Sequence, residues 1–126
     1  MKNIIVISTS LRKNGNSERL ADAFVKGAKE AGHMVEKCSL QGCAMHFCTG
    51  CMTCQHSRQG QCAMPDDADI LIQKMAAADV IAFATPVYFY EMCGQMKTLL
   101  DRTNPLFPIP YKFKDIYLLT TAADSE

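Results

Sequence analysis

Short apolar runs alternate along the chain with stretches whose apolar residues recur every three or four positions. Residues 4–7 (IIVI), 79–85 (DVIAFAT) and 115–121 (DIYLLTT) are continuous and apolar, which is typical of strands buried on both faces of a parallel sheet. Residues 33–40 alternate weakly and predict a more exposed strand. Helical periodicity follows Ser17 and Asp66 and surrounds Met96. The pattern therefore predicts an α/β fold with right-handed crossovers.

The last predicted strand stands close to the end of the chain. Its residues 116–119 are apolar throughout and should not form a bare sheet edge, because an exposed apolar edge strand invites association with other chains. We expect either that further residues complete the fold or that a second copy of the chain covers this edge. A homodimer or a higher homo-oligomer is the interpretation we favour.

The composition is that of a globular protein without a bias toward one class of macromolecular partner. The 126 residues suffice for one domain, which we assign to residues 1–126, and 48% of them are hydrophobic. Thirteen basic residues balance 13 acidic ones, which gives no indication of a nucleic-acid surface. No stretch resembles a secretory signal or a membrane span. We therefore predict a cytoplasmic protein with neither nucleic-acid nor membrane partners.

The segment between the first strand and the first helix is rich in polar side chains. It contains Ser8, Ser10, Arg12, Asn16 and Ser17. Amides at a helix start and short hydroxyls favour a phosphate, and an arginine can donate two parallel hydrogen bonds to it. The glycine patterns of dinucleotide and nucleoside triphosphate loops are missing. The residues alone leave two interpretations, a phosphate loop or an ordinary polar turn before a helix capped by Ser17.

A second candidate segment follows the apolar run 79–85. It contains Pro86, Val87, Tyr88 and Phe89. At the carboxyl end of a buried strand, backbone amides and aromatic side chains can line a flat, largely apolar ligand. The alternative is a packing cluster or a contact with a second copy. Lys97 and Arg102 further on are expected to be solvated or salt-bridged, and we assign no catalytic residue.

Three motifs occur in order along nearly the whole chain: STSLRKNGNSERLADAF, then CTGCMTC followed by GQC and PDD, then TPVYFYEMCGQMKTLLDR. Together they resemble the NAD(P)H-dependent FMN reductase family of flavodoxin-like proteins, and within it the iron-sulfur flavoproteins. The resemblance implies a flavodoxin-like three-layer sandwich with FMN at the switch point between the first and third strands. The implied sheet order is 2-1-3-4, with the usual fifth strand of the family missing from this chain.

The resemblance also implies which residues hold FMN. The phosphate contacts would be Ser8, Ser10, Arg12, Asn16 and Ser17. The isoalloxazine ring would lie against Pro86, Val87, Tyr88 and Phe89, with Thr120, Thr121 and Ala122 approaching from a third loop. The implied activity is that of an oxidoreductase that takes hydride from NAD(P)H and passes electrons to a small-molecule or protein acceptor. A flavodoxin-like electron carrier with little NAD(P)H oxidation is the alternative.

Four of the seven cysteines are concentrated in one stretch. Cys48, Cys51, Cys54 and Cys62 are spaced C-x2-C-x2-C-x7-C. Three thiols at three-residue steps and a fourth after a longer excursion suit a [4Fe–4S] cluster, whose irons each need a thiolate. Tetrahedral zinc is a poorer match, although His46 and His56 keep it open. The third interpretation is a thiol-rich loop without metal beside the flavin.

Overall fold

A computed structural model describes residues 1–123 as alternating strands and helices. In chain order these are β1 (Asn3–Ser8), α1 (Asn16–Glu30), β2 (Met34–Ser39), α2 (Asp67–Ala77), β3 (Val80–Tyr88), β4 (Glu91–Met92), α3 (Gly94–Asp101), a 3-10 turn (Asn104–Leu106) and β5 (Asp115–Thr121). The predicted alternation of strands and helices is confirmed. Within residues 1–123, no helix combines the length and apolar character that crossing a bilayer requires.

The four longer strands form a parallel sheet in the order β2-β1-β3-β5. In this register Ile5 of β1 lies between Glu36 of β2 and Ile81 of β3. Ile81 in turn lies beside Ile116 of β5. The predicted 2-1-3-4 order of a flavodoxin-like fold is confirmed, and β5 is the fourth predicted strand. It carries a later number because the two-residue β4 pairs antiparallel with the end of β3.

Helices pack on both faces of the sheet because its central strands are apolar on both sides. Ala21 of α1 packs against β1 and β3 on one face. Leu71 of α2 and Leu99 of α3 pack against the same strands on the other face. Burial of a large apolar side chain contributes roughly 1.5–3 kcal/mol. This core fixes the strand ends from which the candidate loops emerge.

The first helix begins slightly earlier than predicted and lacks a side-chain cap. α1 starts at Asn16, and the capping position is held by Gly15 in an extended conformation. Ser17 is therefore not the N-cap. Because the helix already begins at Asn16, Ser17 lies inside its first turn, and its side chain is buried. A glycine at this position provides no side-chain oxygen for the first amides of α1.

β3 continues beyond residue 85 and turns back as a hairpin in a region that the sequence pattern predicts to be a loop. Tyr88 pairs with Glu91 of β4. Phe89 and Tyr90 occupy the two turn positions with φ of 48° and 66°, the left-handed values that a type I′ turn requires. These values cost a residue with a Cβ roughly 1–2 kcal/mol. The prediction failed here because turns of this type are normally signalled by Asn-Gly or Asp-Gly.

β5 forms an edge of the sheet and carries apolar side chains in contact with solvent. Ile116, Tyr117 and Leu118 are 58%, 51% and 59% exposed. Successive side chains of a strand point to opposite faces, so both faces of β5 are apolar. Within the described residues β5 pairs with β3 alone. Among residues 1–123 the fourth predicted strand is therefore an uncovered apolar edge, and its covering by a second copy or by further residues stays a prediction.

Candidate functional site

Three loops singled out in the sequence meet at the carboxyl edge of the sheet. Thr9 joins β1 to β3 there, because its backbone N–H and its hydroxyl both donate to the carbonyl of Ala84, at 3.0 and 2.8 Å. β5 reaches the same edge through the pairing of Pro86 with Thr121. The carboxyl edge at the point where the strand order reverses is where parallel α/β sheets bind ligands. The ends of β1, β3 and β5 therefore form one candidate site.

Four of the five predicted phosphate contacts lie in the loop after β1 or in the first turn of α1. Arg12 and Asn16 are exposed, whereas Ser10 and Ser17 are largely buried. The hydroxyl of Ser10 accepts the N–H of Arg12 at 3.1 Å, which tightens the loop in front of the helix. No side chain caps α1 within residues 1–123, so its first amides and its dipole can serve an anion. This donor set fits a phosphate group.

Ser8, the fifth predicted phosphate contact, is enclosed by the sheet. It ends β1 and is completely buried. Its hydroxyl has no hydrogen-bond partner among the described residues, an arrangement that costs roughly 1–3 kcal/mol. Because the residue is completely buried, a ligand reaches this oxygen only if the surrounding structure shifts. Direct phosphate contact by Ser8 is thus the part of the predicted site that the geometry supports least.

The residues predicted to line a flavin ring form a ledge at the ends of β3 and β5. Pro86 and Val87 at the end of β3 are half-buried, and Tyr88 and the turn residue Phe89 are exposed. Thr120 and Thr121 end β5, exposed and half-buried respectively, and Ala122, the next residue, is exposed. The ring of Phe89 meets that of Tyr90 edge to face, with centroids 5.5 Å apart. Backbone strain is stored at functional sites more often than elsewhere. The strained hairpin therefore marks this ledge as a candidate ligand surface.

Cys93 connects the end of β1, where the candidate phosphate loop begins, to the end of β3, where the ledge begins. The sequence does not indicate this role. Cys93 is completely buried, as the sequence predicts for a small hydrophobic side chain. Its sulfur lies 3.3 Å from the hydroxyls of both Thr9 and Thr85. Its backbone N–H also donates to the Thr85 hydroxyl at 3.2 Å. The start of α3 is thereby fixed against the ends of β1 and β3.

The four clustered cysteines line one small cavity, together with Arg102 and Asn104. None of the seven cysteines, all within residues 1–123, forms a disulfide. The cavity holds about 20 Å³, close to the room of one water molecule. Neither His46 nor His56 lines it, so the predicted zinc alternative gains no support. A cubane cluster is larger than this cavity, so binding one would require the segment to rearrange.

Several hydrogen bonds are donated to the cysteine sulfur atoms that line this cavity. The N–H of Gly50 donates to Cys48 at 3.4 Å, and the N–H of Met64 donates to Cys62 at 3.3 Å. Hydrogen bonds to cysteine sulfur stabilise thiolates and tune the potential of clusters bound to them. Among residues 1–123, however, no three His, Cys, Asp or Glu side chains are close enough to share a single metal ion. In a cubane the four thiolates bind four different irons.

The thiols of the segment differ in acidity. Burial raises the pKa of the Cys54 thiol, and the neighbouring cysteines add to the effect. A hydrogen bond with the Thr53 hydroxyl, at 3.2 Å, lowers the pKa of the exposed Cys51 thiol.

Gly60 supports the fold of the segment, because a Cβ there would lie 2.3 Å from the side chain of Ile109. The cysteine segment is thus packed onto the body of the protein rather than detached from it.

Arg102 anchors the cysteine segment to α3 and α2. Its side chain is 1% exposed and forms a two-pronged ion pair with Asp66, the N-cap residue of α2, at 2.6 and 3.0 Å. It also donates to the carbonyls of His46 and Met64, at 2.8 and 3.1 Å, and to the sulfur of Cys62 at 3.4 Å. The salt bridge that the sequence allows for Arg102 is present. Its burial and its contact with a candidate ligand were not expected.

Comparison with known proteins shows the family of this chain. A family model for NADPH-dependent FMN reductases matches residues 2–125. The chain belongs to this family. The resemblance carried by the three sequence motifs is therefore confirmed, and FMN and NAD(P)H are the cofactor and the electron donor that the FMN reductase family implies. The positions of the individual FMN contacts remain predictions.

Curated relatives in the FMN reductase family include iron-sulfur flavoproteins. One from Archaeoglobus fulgidus is 38% identical over 96 residues, which are 76% of this chain and 43% of the relative. One from Methanocaldococcus jannaschii is 37% identical over 103 residues, 82% of this chain and 52% of the relative. The chain thus spans about half the length of these curated relatives. An NAD(P)H:quinone oxidoreductase from Methanothermobacter marburgensis has the same fold, with a TM-score of 0.78 at 18% identity over 99% of this chain and 68% of that one.

Proposed function

We propose that this chain provides the FMN site of an NAD(P)H-dependent oxidoreductase that passes electrons to a small-molecule or protein acceptor. The observation that carries the proposal is that the uncapped start of α1 and the strained hairpin after β3 follow neighbouring parallel strands and lie at the same edge of the sheet, at its switch point. Membership in the FMN reductase family supports the same cofactor. Bound FMN supplies hydride acceptance and the release of electrons one or two at a time.

Different residues of the chain would hold the phosphate and the ring of this cofactor. Arg12 would donate paired hydrogen bonds to the phosphate, and the first amides of α1 would stabilise its negative charge by further hydrogen bonds. Ser10, Asn16 and Ser17 would add side-chain donors. The ledge over residues 86–89, with residues 120–122 beside it, would orient the ring and exclude water from its buried face. An acid or base is not needed for hydride transfer to a flavin.

Replacing Arg12 tests the phosphate site. We expect Arg12→Ala to weaken FMN binding about 10- to 100-fold, because charge-assisted hydrogen bonds contribute about 1.5–3 kcal/mol. Calorimetric titration of the apoprotein with FMN measures the change. Lys13→Ala is the matched control, since Lys13 is an exposed cation in the same loop. Equal effects of the two substitutions, or none from Arg12→Ala, would contradict the proposal.

A flavodoxin-like electron carrier is the second candidate for the overall role. It would bind FMN at the same loop but oxidise NAD(P)H negligibly. Steady-state NAD(P)H oxidation with an artificial electron acceptor distinguishes the two. Sustained turnover supports the reductase, and tight FMN binding without turnover supports the carrier.

We further propose that the cysteine segment holds a [4Fe–4S] cluster, so that the site can deliver single electrons. The supporting observation is the shared cavity of Cys48, Cys51, Cys54 and Cys62, with backbone N–H groups donating to two of the sulfurs. The naming of the relatives from Archaeoglobus fulgidus and Methanocaldococcus jannaschii agrees with this. The cluster would be held by the four thiolates and bordered by the guanidinium of Arg102.

The apolar edge of β5 supports self-association, as the sequence analysis expects. We predict that Leu118→Lys shifts the protein toward a smaller assembly, because it places a charge on an edge that would otherwise pair with a second copy. Sedimentation velocity over a range of concentrations measures this. Ile70→Lys is the control, because Ile70 is 58% exposed, close to the 59% of Leu118, but lies on α2. A monomeric parent protein would refute the expectation.

A further inference from the structure

Glu18 in the first turn of α1 reaches back to the loop that precedes its own helix. Its carboxylate oxygen Oε2 accepts the backbone N–H of Asn14 at 2.9 Å. Asn14 has a φ of 55°, a left-handed conformation that asparagine tolerates better than most residues but that still needs support from its surroundings. The hydrogen bond from Asn14 is the main cause that lowers the pKa of Glu18. Glu18 therefore holds the middle of the loop as a carboxylate.

Gln41, which follows β2, fastens the same loop from the neighbouring strand. Its Nε2 donates to Glu18 Oε2 at 3.2 Å and to the carbonyl of Arg12 at 3.3 Å. The stretch over residues 12–14 is thereby attached at one point to α1 and at another to the end of β2. We call Glu18 and Gln41 together the loop clamp.

Lys37 compensates the charge that the loop clamp places next to an anion site. Its ammonium group lies 3.2 Å from Glu18 Oε1 and 2.6 Å from a carboxylate oxygen of Asp22. The Lys37 and Glu18 side chains are 26% and 15% exposed, so solvent screens this pair less than a surface pair. A carboxylate beside an anion-binding helix start would by itself repel a phosphate. Because Lys37 pairs with Glu18, the carboxylate can hold the loop without leaving an unpaired negative charge beside the anion site.

We propose that the loop clamp is a positioning device that holds residues 12–14 in the shape that receives the FMN phosphate. The proposal rests on the proposed function of this loop. A loop that is ordered before the ligand arrives loses less conformational entropy on binding, and affinity rises accordingly. The clamp acts through the backbone around Arg12 and touches neither the ring nor the ledge. Its contribution should therefore appear for ligands that carry the phosphate and not for those that lack it.

Paired titrations with FMN and riboflavin test this prediction. We expect Glu18→Ala to weaken FMN binding about tenfold and to leave riboflavin binding unchanged. Glu18→Gln keeps an oxygen that can accept the Asn14 N–H, so it should retain most of the affinity. Gln41→Leu should weaken FMN binding alone, and its effect should not add to that of Glu18→Ala, because both remove one device. Glu30→Ala, at the other end of α1, is the control and should change neither affinity.

The outcomes separate the clamp from its rivals. Tighter FMN binding by both Glu18→Ala and Glu18→Gln would show that Glu18 acts only as a repelling charge and would overturn the clamp. Parallel losses for FMN and riboflavin would assign Glu18 a general structural role and would overturn it as well. Failure of the parent protein to bind FMN would overturn the proposed function before any variant is compared. Should Glu18→Ala not fold, Glu18→Gln and Gln41→Leu still decide between these results.

Discussion

Replacing Arg102 with methionine is expected to lower the free energy of unfolding by about 3–5 kcal/mol, the range for removing one partner of a buried ion pair. Small domains are stable by only about 5–15 kcal/mol, so Arg102→Met should approach the limit of folding. The loss is large because the carboxylate of Asp66 stays buried, 3% exposed, after its cation is removed. Two backbone carbonyls, those of His46 and Met64, also lose a donor. Chemical denaturation followed by circular dichroism measures the change.

The pH dependence of this loss gives a sharper test. Burial raises the pKa of Asp66, but hydrogen bonds from Arg102 and from the N–H groups of His46 and Ala68 outweigh it, and the net pKa is lowered. A group with a lowered pKa stabilises the fold above its unfolded value, about 3.9 for aspartate, and this contribution fades as the pH falls through the folded pKa. Without Arg102 the carboxylate keeps only the N–H groups of His46 and Ala68, so the folded pKa of Asp66 should rise. The stability difference between the parent and Arg102→Met should therefore be largest at neutral pH and should shrink as the pH falls through the folded pKa of Asp66 in the parent, which lies below about 3.9.

Lys97→Met is the matched control for this experiment. Lys97 lies in α3, the helix that Arg102 follows as its C-cap, and forms an ion pair with Asp101 one turn away, but both side chains are largely exposed. Exposed pairs of this kind contribute about 0.5 kcal/mol or less. If Arg102→Met fails to fold, Asp66→Asn serves instead, because the amide keeps one oxygen that can accept the Ala68 N–H at the N-cap, while the charge and the second acceptor oxygen are lost. Equal effects for Lys97→Met and Arg102→Met would show that burial of the pair is unimportant.

The sheet could be predicted because its signal is local in the sequence. A run such as residues 4–7 is apolar at every position, and the structure buries every one of them. A continuous apolar run has few other ways to leave water, so the strands, their order and the carboxyl-edge site followed from pattern and resemblance. The hairpin after β3 was not predicted, because Phe-Tyr is a poor signal for a left-handed turn.

The supports of the site could not be predicted because they connect residues far apart in the chain. Arg102 meets Asp66 across 36 positions and His46 across 56. An arginine after an amphipathic helix has the same appearance in a sequence whether it is solvated or buried. The sequence indicates that Cys93 is a small buried side chain. Its contacts with Thr9 and Thr85, however, depend on which strands become neighbours. Glu18 could have been found, since an acidic residue in the first turn of a helix often bonds back to the preceding loop.

Loss of any one clustered cysteine is expected to abolish iron binding while FMN is retained. Anaerobically purified parent protein should contain about four irons per chain, the content of one [4Fe–4S] cluster. Cys62→Ala removes a thiolate that accepts hydrogen bonds from Met64 and Arg102. Three thiolates leave one iron without its protein ligand, and the assembled centre becomes labile. Iron and acid-labile sulfide analysis measure the loss, and the flavin absorbance reports whether the FMN site is intact.

Cys38→Ala provides the matched control for the cysteine experiment. Cys38 lies in β2, and burial is the main cause that raises the pKa of its thiol, as expected of a thiol that serves packing. Its replacement should leave the iron content unchanged. The four variants at residues 48, 51, 54 and 62 should behave alike, because each thiolate binds its own iron. Full iron content in Cys62→Ala would remove that residue from the centre, whereas a parent protein with FMN and no iron would refute the cluster and leave the reductase proposal standing.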